Sequence, residues 1–578
     1  MLIYGILNKL LKKYPLQLMS NVKTMKIHRL FSYIVCIWVL SAIVSCQEDN
    51  INILWDSSSA PQQPADKEET KPLPGNTSEL WKEFLAANQN GTESRLADFS
   101  YAGYAYGEKD IPNIDYPIFD VTDYGAIPND GQSDREAFEA AIAAAQANGK
   151  GIIYFSQGRF DLRPKDAPNK SIIISGDNLI LRGAGNGKNG TELYMEYPNE
   201  PETAGDLWSC PPLINVRYVF NKDKEFAVDD NYVDRQLAQI TADAPRGSFT
   251  IEVDNTSGLY IGKRVFLQLK NNDPELIASE LYPYEVQSDW TDLLNNGVQV
   301  TEYHEITRIE GNKITFKAPI LYEVKSKWGW TLHEHNCHVG VGVEHLAFVG
   351  NFQENFVHHQ NATHDSGFKM LTFLRQTNGW IRNCRFTDVS EGVSIQKSSN
   401  VSVLSCIING NQGHSAIRSE ASTRIFIGNI KDRSGQYHSN GVSKTAIGTV
   451  LYRNETLYNS CFESHSYQPR VTLVDACQGG FLPNHAGGDQ ASAPNHLREL
   501  VIWNYHKKSL TQQFDLWSRN NRFWMPIIVG MHGHPVSIKE EQVTINESPG
   551  KAVYPESLYE AQLMERLGYL PAWLQAIN

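Results

Sequence analysis

Two stretches of the chain repeat each other with an offset of 22 residues, and this repeat constrains the fold more than any other feature. Residues 378–386 align with residues 400–408, and the same offset pairs Gln396 with Arg418. A third copy at 424–430 follows at the same spacing. Repeats of roughly 20–30 residues with short strands and tight turns are typical of solenoids, whose coils bury apolar side chains only by stacking. The sequence therefore predicts an all-β, right-handed parallel β-helix with a long outer face suited to an extended polymer.

Composition narrows the classes of partner. Of the 578 residues, 20% are charged and 11% aromatic, and the formal net charge is −13. This balance is typical of a globular protein and argues against a nucleic-acid partner. A local basic cleft that binds an acidic polysaccharide is compatible with it. We expect a monomer.

The N-terminal region has the pattern of an export signal. A basic segment that begins at Met25, the predicted start, precedes the apolar run 30–44, which is too short for a comfortable membrane span. The run ends in Ile43-Val-Ser-Cys46, which resembles a bacterial lipobox. The sequence predicts a lipid on Cys46 and a surface-exposed protein anchored in the outer membrane. A simple signal peptide with a chance cysteine is the alternative.

A strand, a helix and a second strand open the folded region. Ser133 and Glu136 form a capping-box pattern, residues 137–147 favour a helix that ends at Gly149, and 151–155 reads as a strand. This unit resembles the start of the pectate-lyase-like β-helix superfamily, in which such a helix covers the open end of the solenoid. A short amphipathic helix near the C-terminus is expected to cover the other end. The predicted segments are a signal peptide at 1–46, a flexible linker at 47–80, a β-helix at 115–545 with an insertion at about 190–335, and a C-terminal cap at 546–578.

The cysteines do not indicate a zinc site. No CxxC pair occurs among the residues that follow Cys46. The 22-residue offset stacks Cys384 on Cys406 in adjacent coils, as small apolar side chains or as a disulfide. The sequence leaves this choice open.

Two short elements carry the strongest chemical signal. Lys397 and Asn400 lie in Lys-Ser-Ser-Asn, and Gly413 precedes Arg418 by five positions. The pattern is similar to that of the β-helix lyases of the chondroitinase-B and alginate-lyase type. That resemblance implies a lysine base at Lys397 and an arginine at the leaving-group side at Arg418. It also implies cleavage of a uronate-containing polysaccharide, such as a glycosaminoglycan, alginate or pectin, by β-elimination.

The chemistry of elimination suggests further residues. A base must remove the C5 proton of the uronate, and calcium or cationic donors must neutralise its carboxylate. The lyases that the pattern resembles hold calcium with acidic residues before the lysine, where this chain offers only Glu391. The cofactor is therefore left open, calcium is not favoured, and no metal ligands are assigned. His414 and His438 are alternative catalytic residues, and a histidine or tyrosine base is an option. The predicted substrate-binding residues are Lys444, Arg424, Gln396 and Glu391.

Ordinary structural roles compete with these assignments. Lysine and arginine on an outward strand face are usually solvated charges, and Asn400 could be a turn asparagine. Extending the offset places Gln396, Arg418 and Lys444 in one outward column, with His438 beside it. The other histidines are weaker candidates for the site. A loop before the next coil is expected to hold His358, His359 and His364. The spacing of His333, His335 and His338 fits no standard set of metal ligands, and structural roles are expected for His532 and His534.

Two other functions remain open. An inverting glycoside hydrolase on the same fold needs paired carboxylates, whereas the only Asp-Asp pair, Asp229-Asp230, lies in the insertion. A glycan-binding solenoid would use aromatic platforms, for which Trp328, Trp330 and Trp380 are candidates. The glycine-rich stretch 183–187 opens no helix and does not indicate a nucleotide cofactor.

Overall fold

The computed structural model describes residues 74–220, 233–482, 487–517 and 524–577. The predicted signal segment, Cys46 and most of the linker lie outside these residues. Among the described residues, no helix combines the length and the apolar character that crossing a bilayer requires.

Parallel strands stack into three sheets around one apolar core, which confirms the predicted all-β parallel β-helix. Sheet A contains Ile118–Asp120, Gly151–Phe155, Leu179–Gly183, Gly342–Glu344, Trp380–Arg382, Ser402–Leu404, Phe426–Gly428, Ile447–Tyr452, Arg470–Asp475, Leu500–Trp503, Ile527–Val529 and Ile545–Glu547. Sheet B contains Ile172–Ile174, Ile214–Arg217, Lys369–Leu374, Glu391–Gln396, Ser415–Glu420, Gly441–Ser443 and Glu463–His465. Sheet C contains Gly158–Asp161, Thr191–Tyr194, Ala347–Val349, Arg385–Thr387, Ile407–Asn409 and Lys431–Asp432.

Shorter pairings extend the coils. The two-residue and edge strands are His338–Val339 with Gln376–Thr377, Gln478–Gly479 with His506–Lys507 and His532–Gly533, and Gln513–Phe514 with Ser537–Ile538. Short helical turns lie at Tyr104–Gly107, Val121–Tyr124, Ser326–Trp328, Thr363–Gly367 and Glu540–Gln542.

Inward side chains of successive coils stack on one another. Phe348 lies on Phe386 with ring centroids 5.0 Å apart, and Cys384 and Cys406 are fully buried. Both cysteines are free thiols, so the structure selects apolar stacking over the disulfide. The inward residues stabilise the solenoid because each coil removes its neighbour's apolar surface from water.

The strand register corrects the predicted spacing in sheet B. Between the first two copies the offset of 22 is confirmed in sheets A and C, since Ile381 pairs with Val403 and Phe386 with Ile408. In sheet B the offset is 24, so Arg418 pairs with Ser394 and not with Gln396, which pairs with Glu420. The predicted column of Gln396, Arg418 and Lys444 is therefore wrong.

Loop length explains the difference. The chain between sheets C and B takes three residues after Thr387 but five after Asn409. A shift of two residues keeps the same side chains inward because strand side chains alternate with a period of two. The third copy also follows at 24, since Ser402 pairs with Phe426.

Helices cover both ends of the solenoid. The first, Arg135–Asn148, packs on the core through Phe138, whose ring lies 4.8 Å from that of Phe155. It ends at Gly149 in a left-handed conformation, as predicted, but its N-cap is Asp134 rather than Ser133. The remaining terminal helices are Glu79–Asn90, Leu558–Leu567 and Ala572–Gln575.

The side chains of Ser557 and Asp475 cap the start of the helix Leu558–Leu567. Ser557 accepts a hydrogen bond from the Glu560 amide, and Gly568 ends the helix in a left-handed conformation. The buried carboxylate of Asp475 accepts hydrogen bonds from the Ser557 hydroxyl and from the amides of Leu558 and Tyr559. Burial raises the pKa of Asp475 to about 6 despite these donors. The last sheet A coils thus hold the helix start directly.

The insertion is an antiparallel sheet rather than an irregular loop. Its strands, in spatial order, are Gln236–Gln239, Thr331–Glu334, Arg264–Asn271, Val298–Glu310, Lys313–Phe316 and Thr250–Glu252, and its helices are Pro274–Leu281 and Thr291–Asn296. The strands Thr191–Tyr194 and Ile214–Arg217, which fall within the predicted boundaries of about 190–335, pair with solenoid strands. The inserted sheet itself therefore begins near residue 236.

A buried ion pair joins the insertion to the solenoid. Arg424, in a solenoid turn, lies 2.7 Å from Glu302 of the insertion, and both side chains are 1–2% exposed. The guanidinium also donates to the carbonyls of Tyr303 and Pro319. Arg424, predicted to bind substrate, thus has a structural partner and no access to solvent.

We expect Arg424→Ala to lower the free energy of unfolding by about 3–5 kcal/mol, because it leaves Glu302 charged and buried without its partner. Arg308→Ala is the matched control: its pair with Glu310 is 61% exposed on both sides and should contribute less than about 1 kcal/mol. Urea unfolding of both variants measures the difference. Equal losses would contradict the assigned role of Arg424.

Candidate active-site cleft

An open cavity of about 610 Å³ lies on the outer face of sheet B. It is lined by Asp206, Trp208, His358, His359, Lys369, Glu391, Ser394, Gln396, His414, Arg418, Glu420, Tyr437, His438, Ser443, Lys444, His465, Tyr467, Gly487, Gly488, Asp489 and Ser492. We refer to it as the cleft. A second cavity of about 710 Å³ lies around Arg159 and Tyr194, and none of the described residues that line it was predicted as a site residue.

The sheet B register builds the floor of the cleft from columns of outward side chains. One column joins Ser394, Arg418, Gly441 and Glu463. Gly441 has no side chain, so Arg418 reaches across it and its guanidinium lies 3.3 Å from Glu463 Oε2. Strand stacking at about 4.8 Å per coil makes this contact across two coils possible.

A second column holds carboxylate and imidazole groups. It joins Gln396, Glu420, Ser443 and His465. Lys444 follows Ser443 in a left-handed turn, and its ammonium group forms an ion pair with Glu420 at 2.7 Å. The side chain of Lys444 is 53% exposed and reaches the cleft from its rim.

Each cationic side chain of the cleft is paired with a glutamate. The pairs are Lys369 with Glu391 at 3.2 Å, Lys444 with Glu420 at 2.7 Å and Arg418 with Glu463 at 3.3 Å. Asp206 and Asp489 add two further carboxylates to the lining. Carboxylates therefore outnumber the lysine and arginine side chains among the described residues of the cleft.

Two of these carboxylates are held ionised. Burial favours their neutral forms, but Lys369 and His414 lower the pKa of Glu391 to about 2. For Glu420, Lys444 and Arg418 overcome burial in the same way and lower its pKa to about 2. Neither group can supply a proton near neutral pH.

Three histidine rings meet above the column that contains Arg418. His358 Nε2 lies 3.2 Å from His438 Nε2, and the rings of His414 and His438 are 4.8 Å apart between centroids. His414 ends the loop that is two residues longer than its counterpart, and His438 bridges to Ser415 on the next coil. The loop before the strand Lys369–Leu374 supplies His358.

A buried glutamate orients His438. Glu463 Oε1 lies 2.9 Å from His438 Nδ1, and both side chains are at most 4% exposed. This contact directs the Nε2 atom of His438 toward His358. His465 lies 3.9 Å from the same carboxylate oxygen, and burial lowers the pKa of His465 to about 3, so its ring is neutral.

The cleft brings together six of the eight predicted catalytic and substrate-binding residues. Those six are Arg418, His414, His438, Lys444, Gln396 and Glu391. Arg424 lies in the buried ion pair, and Lys397 is not among the described residues that line the cleft. The positive charge of Lys397 is instead one of several that, after burial, lower the pKa of His335 beside the insertion sheet.

The spacers of the predicted motif have structural roles. Asn400 donates from Nδ2 to the carbonyls of Tyr101 and Gly103, which fixes the N-terminal segment on the solenoid. Gly413 packs against the Val389 carbonyl with no room for a side chain. Asn400 is thus a turn residue, the ordinary structural role weighed for it.

The other histidines divide by location. His364 is buried and bonds Glu354, whereas His359 is exposed and stacks edge-on against Trp208 at 5.2 Å. His335, with its pKa held well below its usual range by burial, belongs to the insertion side, as His333 does. His338, His532 and His534 do not line the cleft.

Several residues in and around the cleft were not predicted as site residues from the sequence. Glu463 and His465 alternate around Ser464, a pattern that marks two outward positions on one short strand, but the register beyond His438 could not be extended. Tyr437 adjoins a predicted histidine, and its ring lies 4.2 Å from that of His358. The sequence offers no signal that brings Asp206, Trp208 or Asp489 to this face.

Two family models match parts of the chain. Residues 118–342 match a model described as rhamnogalacturonase A/epimerase, pectate lyase-like, and residues 435–577 match one described as a domain of unknown function, DUF4955. The first match and the fold together support the predicted pectate-lyase-like superfamily. The cleft draws Asp206 and Trp208 from the first matched segment and its other lining residues from the second matched segment and the coils between the two.

A curated relative matches a shorter part of the chain, and solved structures of similar fold match more of it at low identity. The mannuronan C5-epimerase AlgE3 of Azotobacter vinelandii is 32% identical over 109 residues, which are 18% of this chain and 6% of the epimerase. The chain thus matches a small fraction of that relative's length. Among solved structures, the tailspike protein gp49 of Pseudomonas phage LKA1 is 11% identical with a TM-score of 0.35, covering 75% of this chain and 79% of the tailspike. The exopolygalacturonase of Thermotoga maritima is 10% identical with a TM-score of 0.33, covering 77% of this chain and 96% of the enzyme.

The pKa of Glu420 predicts how stability depends on pH. Because its pKa is lower in the folded state, its contribution is present above the unfolded value of about 4.5 and is lost as pH falls toward 2. We expect the stability difference between the wild type and Glu420→Gln to shrink between about pH 5 and 2. Urea midpoints over this range measure it, with Glu310→Gln as the exposed control. A constant difference would contradict the assignment.

Proposed function

We propose that the protein is a polysaccharide lyase that cleaves a uronate-containing polymer by β-elimination in the sheet B cleft. The observation that carries the proposal is that six of the predicted site residues, two from each of three successive coils, line this one open cavity. Glycosaminoglycan, alginate and pectin types all have the required 4-linked uronate. The outer face of a solenoid suits such an extended substrate.

Elimination needs a group that accepts the C5 proton. Lys397, the expected base, does not line the cleft, so the role passes to other groups. Two kinds of described group face the cavity and suit it: the imidazoles of His414 and His438, and the phenol of Tyr437. A tyrosine or histidine base was the alternative that the sequence left open.

We assign Arg418 the role of stabilising the negative charge that develops on the substrate during elimination. Its guanidinium is 13% exposed, and its charge is held by Glu463, Glu420 and Glu391, which raise its pKa above the ordinary arginine value despite burial. An arginine that is always protonated can donate hydrogen bonds to the uronate carboxylate or the departing oxygen. Lys444 at the rim can contact a neighbouring sugar.

A hydrolase is disfavoured by the ionisation of two cleft carboxylates. Inverting or retaining hydrolysis needs a carboxylic acid that is protonated at working pH. Glu391 and Glu420 have pKa values of about 2 and are ionised. Trp328, Trp330 and Trp380, the aromatic residues expected for a binding solenoid, do not line the cleft, whereas Trp208, Tyr437 and Tyr467 do, so binding without catalysis stays an alternative.

C5 epimerisation is a second candidate. The 32% identity with a mannuronan C5-epimerase over 109 residues supports it. Epimerisation and elimination share removal of the C5 proton, and they diverge when the anion is reprotonated on the other face or expels the C4 oxygen. Both reactions therefore predict the same base and the same carboxylate contact.

Ultraviolet absorbance after incubation with acidic polysaccharides tests the proposal, because elimination leaves a conjugated 4,5-unsaturated uronate. We expect absorbance to rise with at least one polymer. Arg418→Ala should lower kcat by about 100-fold or more, as should the variant that removes the base among His414→Ala, His438→Ala and Tyr437→Phe.

Lys397→Ala is the matched control and should retain activity, since Lys397 does not line the cleft. Loss of activity in Lys397→Ala with retention in Arg418→Ala would contradict the assigned site. New reducing ends without absorbance would identify a hydrolase, and a change in uronate configuration without chain cleavage would identify an epimerase.

A further inference from the structure

Three imidazole rings of the cleft form a triangle of uniform size. The ring centroids of His358 and His438 are 5.1 Å apart, those of His414 and His438 are 4.8 Å apart, and those of His358 and His414 are 5.5 Å apart. Three imidazoles bound to one tetrahedral ion, with metal–nitrogen distances of about 2.0–2.1 Å, would have ring centroids about 5 Å apart. The triangle therefore has the size of a three-histidine metal site.

Two of the ring nitrogens have matching positions. His358 Nε2 and His438 Nε2 lie 3.2 Å apart, close to the separation of about 3.3 Å for two nitrogens on one tetrahedral ion. His414 is 2% exposed, and neither of its ring nitrogens has a hydrogen-bond partner. A buried imidazole without hydrogen bonds is costly, and a bound cation would satisfy it.

A second shell of carboxylates supports these histidines. Glu463 Oε1 lies 2.9 Å from His438 Nδ1, and Glu391 Oε1 lies 3.5 Å from His414 Nδ1. Metal-binding histidines commonly donate their other N–H to a carboxylate, which fixes the tautomer and makes the ligand nitrogen more basic. Glu463 lies at the distance that this role requires, and Glu391 lies within ion-pair distance of His414.

The charge of the cleft also calls for a cation. The lysine and arginine side chains among its described residues are each paired with a glutamate, and Asp206 and Asp489 remain in addition. A polymer of uronates would meet repulsion from this surplus of carboxylates. A divalent ion beside Arg418 would supply the missing positive charge and a direct contact for the substrate carboxylate.

We propose that His358, His414 and His438 bind one divalent cation of the zinc type, with an open coordination position that faces the cleft. Neutral imidazoles favour such borderline metals over calcium, which prefers oxygen ligands. The role of the ion in binding the uronate rests on the proposed function, whereas the binding site itself does not. With the ion present, the three imidazoles act as ligands and leave proton removal to another cleft group.

Two neighbouring clusters are competing locations. His438, Glu463 and His465 place ligand atoms within 4.8 Å of one another, and so do His358, His359 and His414. An ion in the first cluster would use Glu463 as a direct ligand and His438 through Nδ1, and it would depend on His465. An ion in the second cluster would depend on His359 and not on His438.

Cobalt(II) titration of the chelator-treated full-length protein, without polysaccharide, tests the site. We expect one Co²⁺ per chain, with the intense visible absorption of a tetrahedral site, and competition by Zn²⁺. His358→Ala, His414→Ala and His438→Ala should each weaken binding by at least about 100-fold, whereas His465→Ala should weaken it far less. His506→Ala is the matched control, since His506 stacks on His532 at 5.1 Å outside the cleft.

Thermal unfolding of each variant checks that it folds. Absence of cobalt binding, or binding that needs His465 and not His358, would overturn the proposal. A protein that binds one cobalt ion but acts on no polymer would refute the lyase assignment and retain the metal site. Full lyase activity after chelation would refute the role of the ion and retain the lyase.

Discussion

The stacking register of the parallel strands determines everything else in this structure. Each coil is held to the next by backbone ladders and by apolar side chains that point inward, so outward side chains are forced into columns. On sheet B, Gly441 leaves a gap in one column through which Arg418 reaches Glu463. The cleft is the result of this geometry: charged and imidazole groups that are distant in sequence become neighbours because their coils stack.

Much of the fold could be predicted because the determining patterns are local. The apolar periodicity, the capping helix that ends at Gly149 and the stacking of Cys384 on Cys406 each depend on short segments. The inward positions tolerate an error of two residues in register, since alternation along a strand has a period of two. The β-helix could thus be predicted even though one loop length was misjudged.

The site was harder to predict, for the same physical reason. Two extra residues before Ser415 move Arg418 from Gln396 to Ser394, so correct residue types were assigned incorrect neighbours. Lys397 and Arg424 carry the right charge but lie in turns, where Lys397 is not among the described residues that line the cleft and Arg424 forms a buried ion pair. No sequence pattern reveals that an insertion from a distant coil will cover a solenoid turn.

The sheet B cleft is proposed to bind and process an acidic polysaccharide, and a crystal structure of Arg418→Ala with a uronate tetrasaccharide would show where the polymer lies. We expect a sugar carboxylate within contact distance of the His358, His414 and His438 triangle, with the sugar chain running across Lys444. Sugar density confined to the other cavity, around Arg159 and Tyr194, would rule out the cleft as the polymer site.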